Sequence, residues 1–190
     1  MRLETKLGSM FTRNAILNKN SFSQSAITVA KRLLGKFLVR RFGKKTLALM
    51  ITEVEAYDGQ NDLASHASCG KTERTKIMFG EAGRFYVYFT YGMHWLINIV
   101  TGPVGYPAAV LLRAGRTADG KNINGPARLT KYLKIGKKFN GKPANRKTGL
   151  WFENRGIKTK SSQILRNCRI GVAYAGPVWS KKLYNFKLII

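Results

Sequence analysis

The chain has 190 residues, which fits one domain of roughly 100–200 residues and excludes a second full domain beside it. Hydrophobic residues make up 44% and charged residues 23%, an ordinary globular balance that excludes a disordered or fibrous chain. The 34 Lys and Arg against 9 acids give a net charge of +25, and basic charge spread through a folded, aromatic-containing domain points to the phosphates of nucleic acid.

The charge is uneven. From Arg113 to the end, 19 basic residues face only Asp119 and Glu153, so the C-terminal part reads as the electrostatic footprint. Glu53, Glu55, Asp58 and Asp62 fall within ten residues of each other, and carboxylates grouped in a phosphate-binding protein need a local task or a local salt bridge. Cys69 and Cys168 form no CxxC, so neither a zinc site nor a disulfide is expected, and a reducing cytosol fits. No uncharged apolar run reaches about 18 residues and the start lacks an apolar signal core, which argues against a membrane span or secretion.

In chain order, residues 1–25 read as a flexible, basic tail and 26–190 as a single domain. Ala26 to Leu38 has helical spacing at Ile27, Ala30, Leu33 and Leu34, with Gly35 near the end. A strand follows through Phe37 to Phe42, a turn at Gly43-Lys44-Lys45, and a strand from Leu47 to Tyr57. Strict alternation puts Leu47, Leu49, Ile51, Glu53, Glu55 and Tyr57 on one face, running from apolar residues into two carboxylates. Residues 58–83 read as a long loop with a short helix near Arg74 to Phe79. Phe85–Phe89 and His94–Val100 form a hairpin whose turn is Thr90-Tyr91-Gly92-Met93. Pro107 to Ala114 reads as a short strand with Arg113 at its end. A helix starts at Asn124-Gly125-Pro126, residues 134–148 form a surface loop, and Leu150–Glu153 and Arg169–Ala173 read as strands. The fold class is α+β, a single domain with a curved, mainly antiparallel sheet, surrounding helices and a protruding hairpin.

Several residues carry more than one reading. Tyr91 is a large ring where hairpin turns favour Asn, Asp and Gly, so it is either a wedge between base pairs or a ring folded onto a neighbouring loop. Tyr57, Tyr86 and Tyr88 supply ring faces for a base or core packing. His66 is a structural loop residue or a polar group of the site. Glu55, at the end of a half-apolar strand, is a sheltered general base for water or the partner of one of the many cations. HExxH, GxGxxG, GxxxxGK and nucleophile-elbow motifs are missing, which leaves a carboxylate mechanism as the main enzymatic option.

The run Ile51-Thr-Glu-Val-Glu-Ala-Tyr57, continuing to His66, closely resembles the alkyladenine (3-methyladenine) DNA glycosylase family. Met78-Phe79, Tyr86 to Met93, Asn98-Ile99, Ala109 to Ala114, Asn124-Gly-Pro126 and Arg169 to Gly176 match its blocks in order, over about Ala30 to Phe186. The resemblance implies a monofunctional enzyme that flips damaged purines out of duplex DNA and hydrolyses the N-glycosidic bond, with no metal or cofactor, as a monomer without a membrane. It implies a cytoplasmic, nucleoid-associated location in a bacterium and a nuclear or organellar one in a eukaryote.

By that resemblance Glu55 matches the general base, Arg113 an arginine holding the attacking water, and Val172 a further water contact through its carbonyl. Tyr57 and Tyr88 match the walls of the base pocket, with Ala64 beside it, His66 on the base edge and Asn98 disfavouring the amino group of guanine. Tyr91 matches the intercalating plug, with Met93 next to it. Thr75 stands where the family pattern has Asn, and Ala127 where Gly or Ser is commoner. The alternative from another class is a non-catalytic nucleic-acid-binding protein that keeps the fold.

Overall fold

A computed structural model of the chain describes residues 15–189. Its ten strands are β1 (Ala15–Ile16), β2 (Phe37–Phe42), β3 (Lys45–Asp58), β4 (Phe85–Thr90), β5 (His94–Val100), β6 (Ala108–Thr117), β7 (Asn122–Asn124), β8 (Leu150–Asn154), β9 (Ile164–Asn167) and β10 (Asn185–Leu188). The helices are α1 (Ala26–Leu33), α2 (Pro126–Tyr132) and α3 (Gly176–Ser180). The strands run in the order β1-β8-β2-β3-β6-β5-β4, with β10 pairing β3 and β9, and β7 pairing β6. Every pairing is antiparallel, and the sheet does not close, as the α+β reading anticipates.

Part of the stretch expected as a tail packs on the domain. Residues 1–14 lie outside the described part, but Ala15 and Ile16 pair with Asn154 and Glu153, and Phe22 is fully buried against Phe152. An aromatic side chain buried in the core gives this stretch the apolar anchor that a loose tail lacks. Helix α1 is also shorter than the predicted span. Ser25 caps it by accepting from Thr28 N at 3.3 Å, and it ends at Leu33 because Gly35 takes φ +76° and hands the chain to β2.

Three further expectations change. Arg169 to Ala173 is not a strand: Gly171 has φ +76° and residues 173–175 form a 3-10 turn, while the preceding pairing belongs to β9. β6 runs on to Thr117, so Arg113 sits in mid-strand. Residues 134–148 do more than cover surface. The Val87 amide donates to Asn140 Oδ1, Gly141 N to Phe85 O, and Phe85 N to Lys142 O, so this segment closes the outer edge of β4 that would otherwise offer unpaired backbone groups.

The largest correction concerns the face of β3. Leu49, Ile51, Val54 and Ala56 all enter one core cluster, although the step from Ile51 to Val54 is odd. The ladder with β6 is irregular between Ile51 and Val54, and the alternation changes phase there. The carboxylates and Tyr57 therefore face away from the apolar core instead of continuing its stripe.

Candidate active site

Five strands place one residue each in a single row across the sheet. Glu55 pairs with Leu111, Leu111 with Asn98, and Asn98 with Tyr86, while Asn185 flanks Glu55 on its other side. Side chains in such a row lie one strand spacing apart, about 4.8 Å. Arg113 and Tyr57, each two residues along their strands from Leu111 and Glu55, share that face.

Glu55 is completely buried and spends both oxygens as acceptors. Oε2 takes the Tyr57 hydroxyl at 3.0 Å and Arg113 Nη1 at 3.2 Å; Oε1 takes the Ile170 amide at 2.8 Å and Asn185 Nδ2 at 3.1 Å. Four donors on one carboxyl is the bonding pattern of an ionised carboxylate. Glu53 holds the outer side of the same array, accepting from Arg113 Nε and Asn185 Nδ2, each at 3.0 Å. The guanidinium thus bridges two carboxylates, which fixes its plane.

Above this floor lies a cavity of about 330 Å³, walled by Tyr57, Ala64, His66, Tyr88, Asn98, Arg113 and Val172 together with Tyr86, Leu111 and Tyr174. A space of that size, walled by aromatic rings with His66, Asn98 and Arg113 among them, falls in the size range of small-molecule pockets. His66 Nδ1 meets the Tyr86 hydroxyl at 3.0 Å, and its ring stands edge-on to Tyr88 at 4.6 Å. Burial, helped by the Arg74 charge, lowers the His66 pKa to about 4, so the ring is neutral at pH 7. Burial, then the Glu55 charge, raises the Tyr57 phenol well above its usual value.

The loop carrying Ala64 and His66 is held by a buried pair. Asp62 accepts from the Asp58 and Ala64 amides, and its carboxylate meets the Arg169 guanidinium in a fork, with Nη2 to Oδ1 at 2.8 Å. Arg169 also donates to the carbonyls of Ala56 and Trp179. This pair ties the His66 wall to the Val172 wall. Within the same loop Thr75 is buried; its hydroxyl donates to Gly70 O at 2.8 Å and accepts from Thr72 N at 2.8 Å, so the departure from the family pattern still closes the turn.

The hairpin tip stands at the rim. Tyr91 lines the cavity yet is 84% exposed, and its φ of +51° is one of two positive values among non-glycine described residues. Met93 does not line the pocket; it is exposed beside a neighbouring groove with Arg128 and Lys131. Glu55 does not line it either, lying behind Tyr57 and Arg113.

The predicted residues thus converge, apart from Met93. The sequence reading missed Asn185, the Ile170 amide, the anchoring role of Glu53 and the wall residue Tyr174. Asn185 carries no local motif, and a backbone amide carries no sequence signal at all.

A family model described as methylpurine-DNA glycosylase matches residues 20–188. The chain belongs to this family of DNA-repair glycosylases. Relatives bearing the name "Putative 3-methyladenine DNA glycosylase" include one from Ehrlichia chaffeensis, 44% identical over 83% of this chain and 87% of its own. One from Legionella pneumophila is 41% identical over 87% and 90%, and one from Methanocella arvoryzae 39% identical over 85% and 86%. Among the described residues no helix is long and apolar enough to cross a membrane, and no three His, Cys, Asp or Glu side chains group as metal ligands.

The His66 assignment has a direct check. Unfolded His takes up a proton near pH 6.5. The folded ring takes it up only near pH 4, so the folded state loses stability as pH falls through that window. An NMR titration of the His66 ring should show it neutral down to about pH 4. Titration near 6.5 would place the ring in solvent.

Proposed function

We propose that the protein flips an alkylated or deaminated purine from duplex DNA into the Tyr57–Tyr88 cavity and hydrolyses its N-glycosidic bond with water activated by Glu55. The observation that carries this reading is the buried, four-donor carboxylate directly behind an aromatic pocket. Among the described residues that line the cavity there is no lysine, and in this reading water rather than an amine is the nucleophile and the product is an abasic site.

Each residue then has a task. Tyr57 and Tyr88 stack on the base, each contact being worth about 1–3 kcal/mol. Asn98 donates Nδ2 to Tyr86 O at 3.1 Å, and its side-chain bulk at the floor disfavours the exocyclic amino group of guanine. Arg113 shares its charge between Glu55 and Glu53 and orients the water. The Val172 carbonyl accepts from Ala175 N and keeps a second lone pair for that water. When water enters, the Tyr57 hydroxyl gives up its hold on Glu55 Oε2, which frees the oxygen that takes the proton.

Tyr91 fills the gap left by the flipped base, and its backbone strain is the sort kept at working sites. Tyr91→Gly relieves that φ while deleting the ring. Stability should hold or rise by about 0.5–1 kcal/mol while affinity for a lesion duplex falls. Unchanged lesion affinity would remove the wedge role.

The reaction is tested by single-turnover base release from oligonucleotides carrying hypoxanthine or ethenoadenine and from alkylated genomic DNA. Release leaving an intact abasic strand supports the reading. Folded protein that releases no base from any of them would leave a binding-only protein.

A further inference from the structure

A second cavity, of about 670 Å³, opens between the β2–β3 turn and the 138–148 segment, and it shares no lining residue with the base pocket. Its wall includes Arg40, Phe42, Lys138, Phe139, Lys142 and Lys147. Arg40–Ala48 and Lys134–Thr148 together hold ten basic residues and no acid. Among the described residues no carboxylate pairs with any of the four cations on the wall.

Arg40 makes this more than a patch of surface lysines. It is only 5% exposed, with its guanidinium 4.7 Å from the Phe139 ring and 5.4 Å from Phe42. Nη1 is spent on the carbonyls of Arg41 and Gly149, and Nε is buried with no hydrogen-bond partner among the described residues. A covered guanidinium with no counter-charge is costly, and an anion among the three exposed lysines around it lowers that cost.

We propose that this cavity binds a backbone phosphate of duplex DNA outside the flipped nucleotide's site. The inference rests on the reading of DNA as the partner. The β2–β3 turn lies at the far end of β3 from Glu55, ten positions along the strand from Glu55 to Lys45 or roughly 30 Å of extended chain, while the carbonyl of Lys142 on the opposite wall accepts from the Phe85 amide of β4. A duplex of about 11 base pairs centred on the lesion reaches roughly 18 Å to either side, less than the length of β3 between Glu55 and the turn, whereas one of about 30 base pairs extends beyond it.

The test compares the native protein with a Lys138→Gln, Lys142→Gln, Lys147→Gln variant, all three positions being exposed, and with Arg40→Met as a separate variant. Binding to lesion-centred and undamaged duplexes of both lengths is measured against salt. On the long duplex the triple variant should flatten the slope of log K against log[salt] by roughly 0.9 for each phosphate it no longer neutralises and weaken low-salt affinity about tenfold. On the short lesion duplex, affinity and base release should match the native protein.

If the native protein takes up two short duplexes and the triple variant one, the site accepts a separate duplex, which also supports the proposal. Equal slopes and affinities on the long duplex overturn it, as does inorganic phosphate that fills the cavity without displacing the long duplex. Failure of base release on the short duplex would count against the glycosylase reading alone, because the undamaged duplexes still report on this site.

Discussion

Replacing Glu55 with Gln should abolish measurable base release, a loss of roughly a hundred- to ten-thousand-fold or more, the range of a general base. Lesion binding should persist, because the pocket walls keep their places. The four donors around Glu55 add a cost that volume alone does not suggest. A Gln amide must point its NH₂ at one pair of them, either Ile170 N and Asn185 or Tyr57 and Arg113. The Tyr57 side is easier, since the hydroxyl can turn and accept while Arg113 keeps Glu53.

A destabilisation of about 1–3 kcal/mol follows. Thermal melting should therefore shift down by several degrees, about 2–4 °C per kcal/mol for a chain of this size. Single-turnover release, equilibrium binding and a melting curve on the same variant separate the outcomes. Binding that disappears together with release would make Glu55 a structural anchor.

The largest stability effect is expected at the Asp62–Arg169 pair, away from the reacting bond. Both side chains are completely buried, so Arg169→Ala leaves a carboxylate in the interior with only two amide donors, and the loss should be about 3–5 kcal/mol. A melting temperature lower by about 10 °C or more would be the readout. Asp62→Leu combined with Arg169→Met should recover part of this, because no buried charge remains. It should not recover all, since the carbonyls of Ala56 and Trp179 and the amides of Asp58 and Ala64 lose their partners. Base release by the single variant should fall through weakened lesion binding, as the walls carrying His66 and Val172 separate. A single variant as stable as the native protein would show that the pair contributes nothing net.

The sequence by itself determined the local features. The hairpin around Tyr91 and Gly92 follows from two β-like runs and a turn; the helix start at Gly125-Pro126 follows from proline chemistry; net charge follows from counting. The grouping of Glu55, Tyr57, His66, Tyr88, Asn98 and Arg113 was legible through the resemblance of contiguous motifs, since each residue stands in a recognisable run.

Only the tertiary structure decided which face of β3 meets the pocket. Alternation is a local rule, and the irregularity opposite Arg113 and Ala114 arises from pairing with β6, some sixty residues distant in the chain. The same holds for Asn185 and the Ile170 amide on Glu55, and for Asp62 on Arg169, contacts that join positions more than a hundred residues apart. Propensity and periodicity describe neighbours along the chain. A buried carboxylate takes its donors from whatever the fold brings within about 3 Å, and that is settled only when the strands pair.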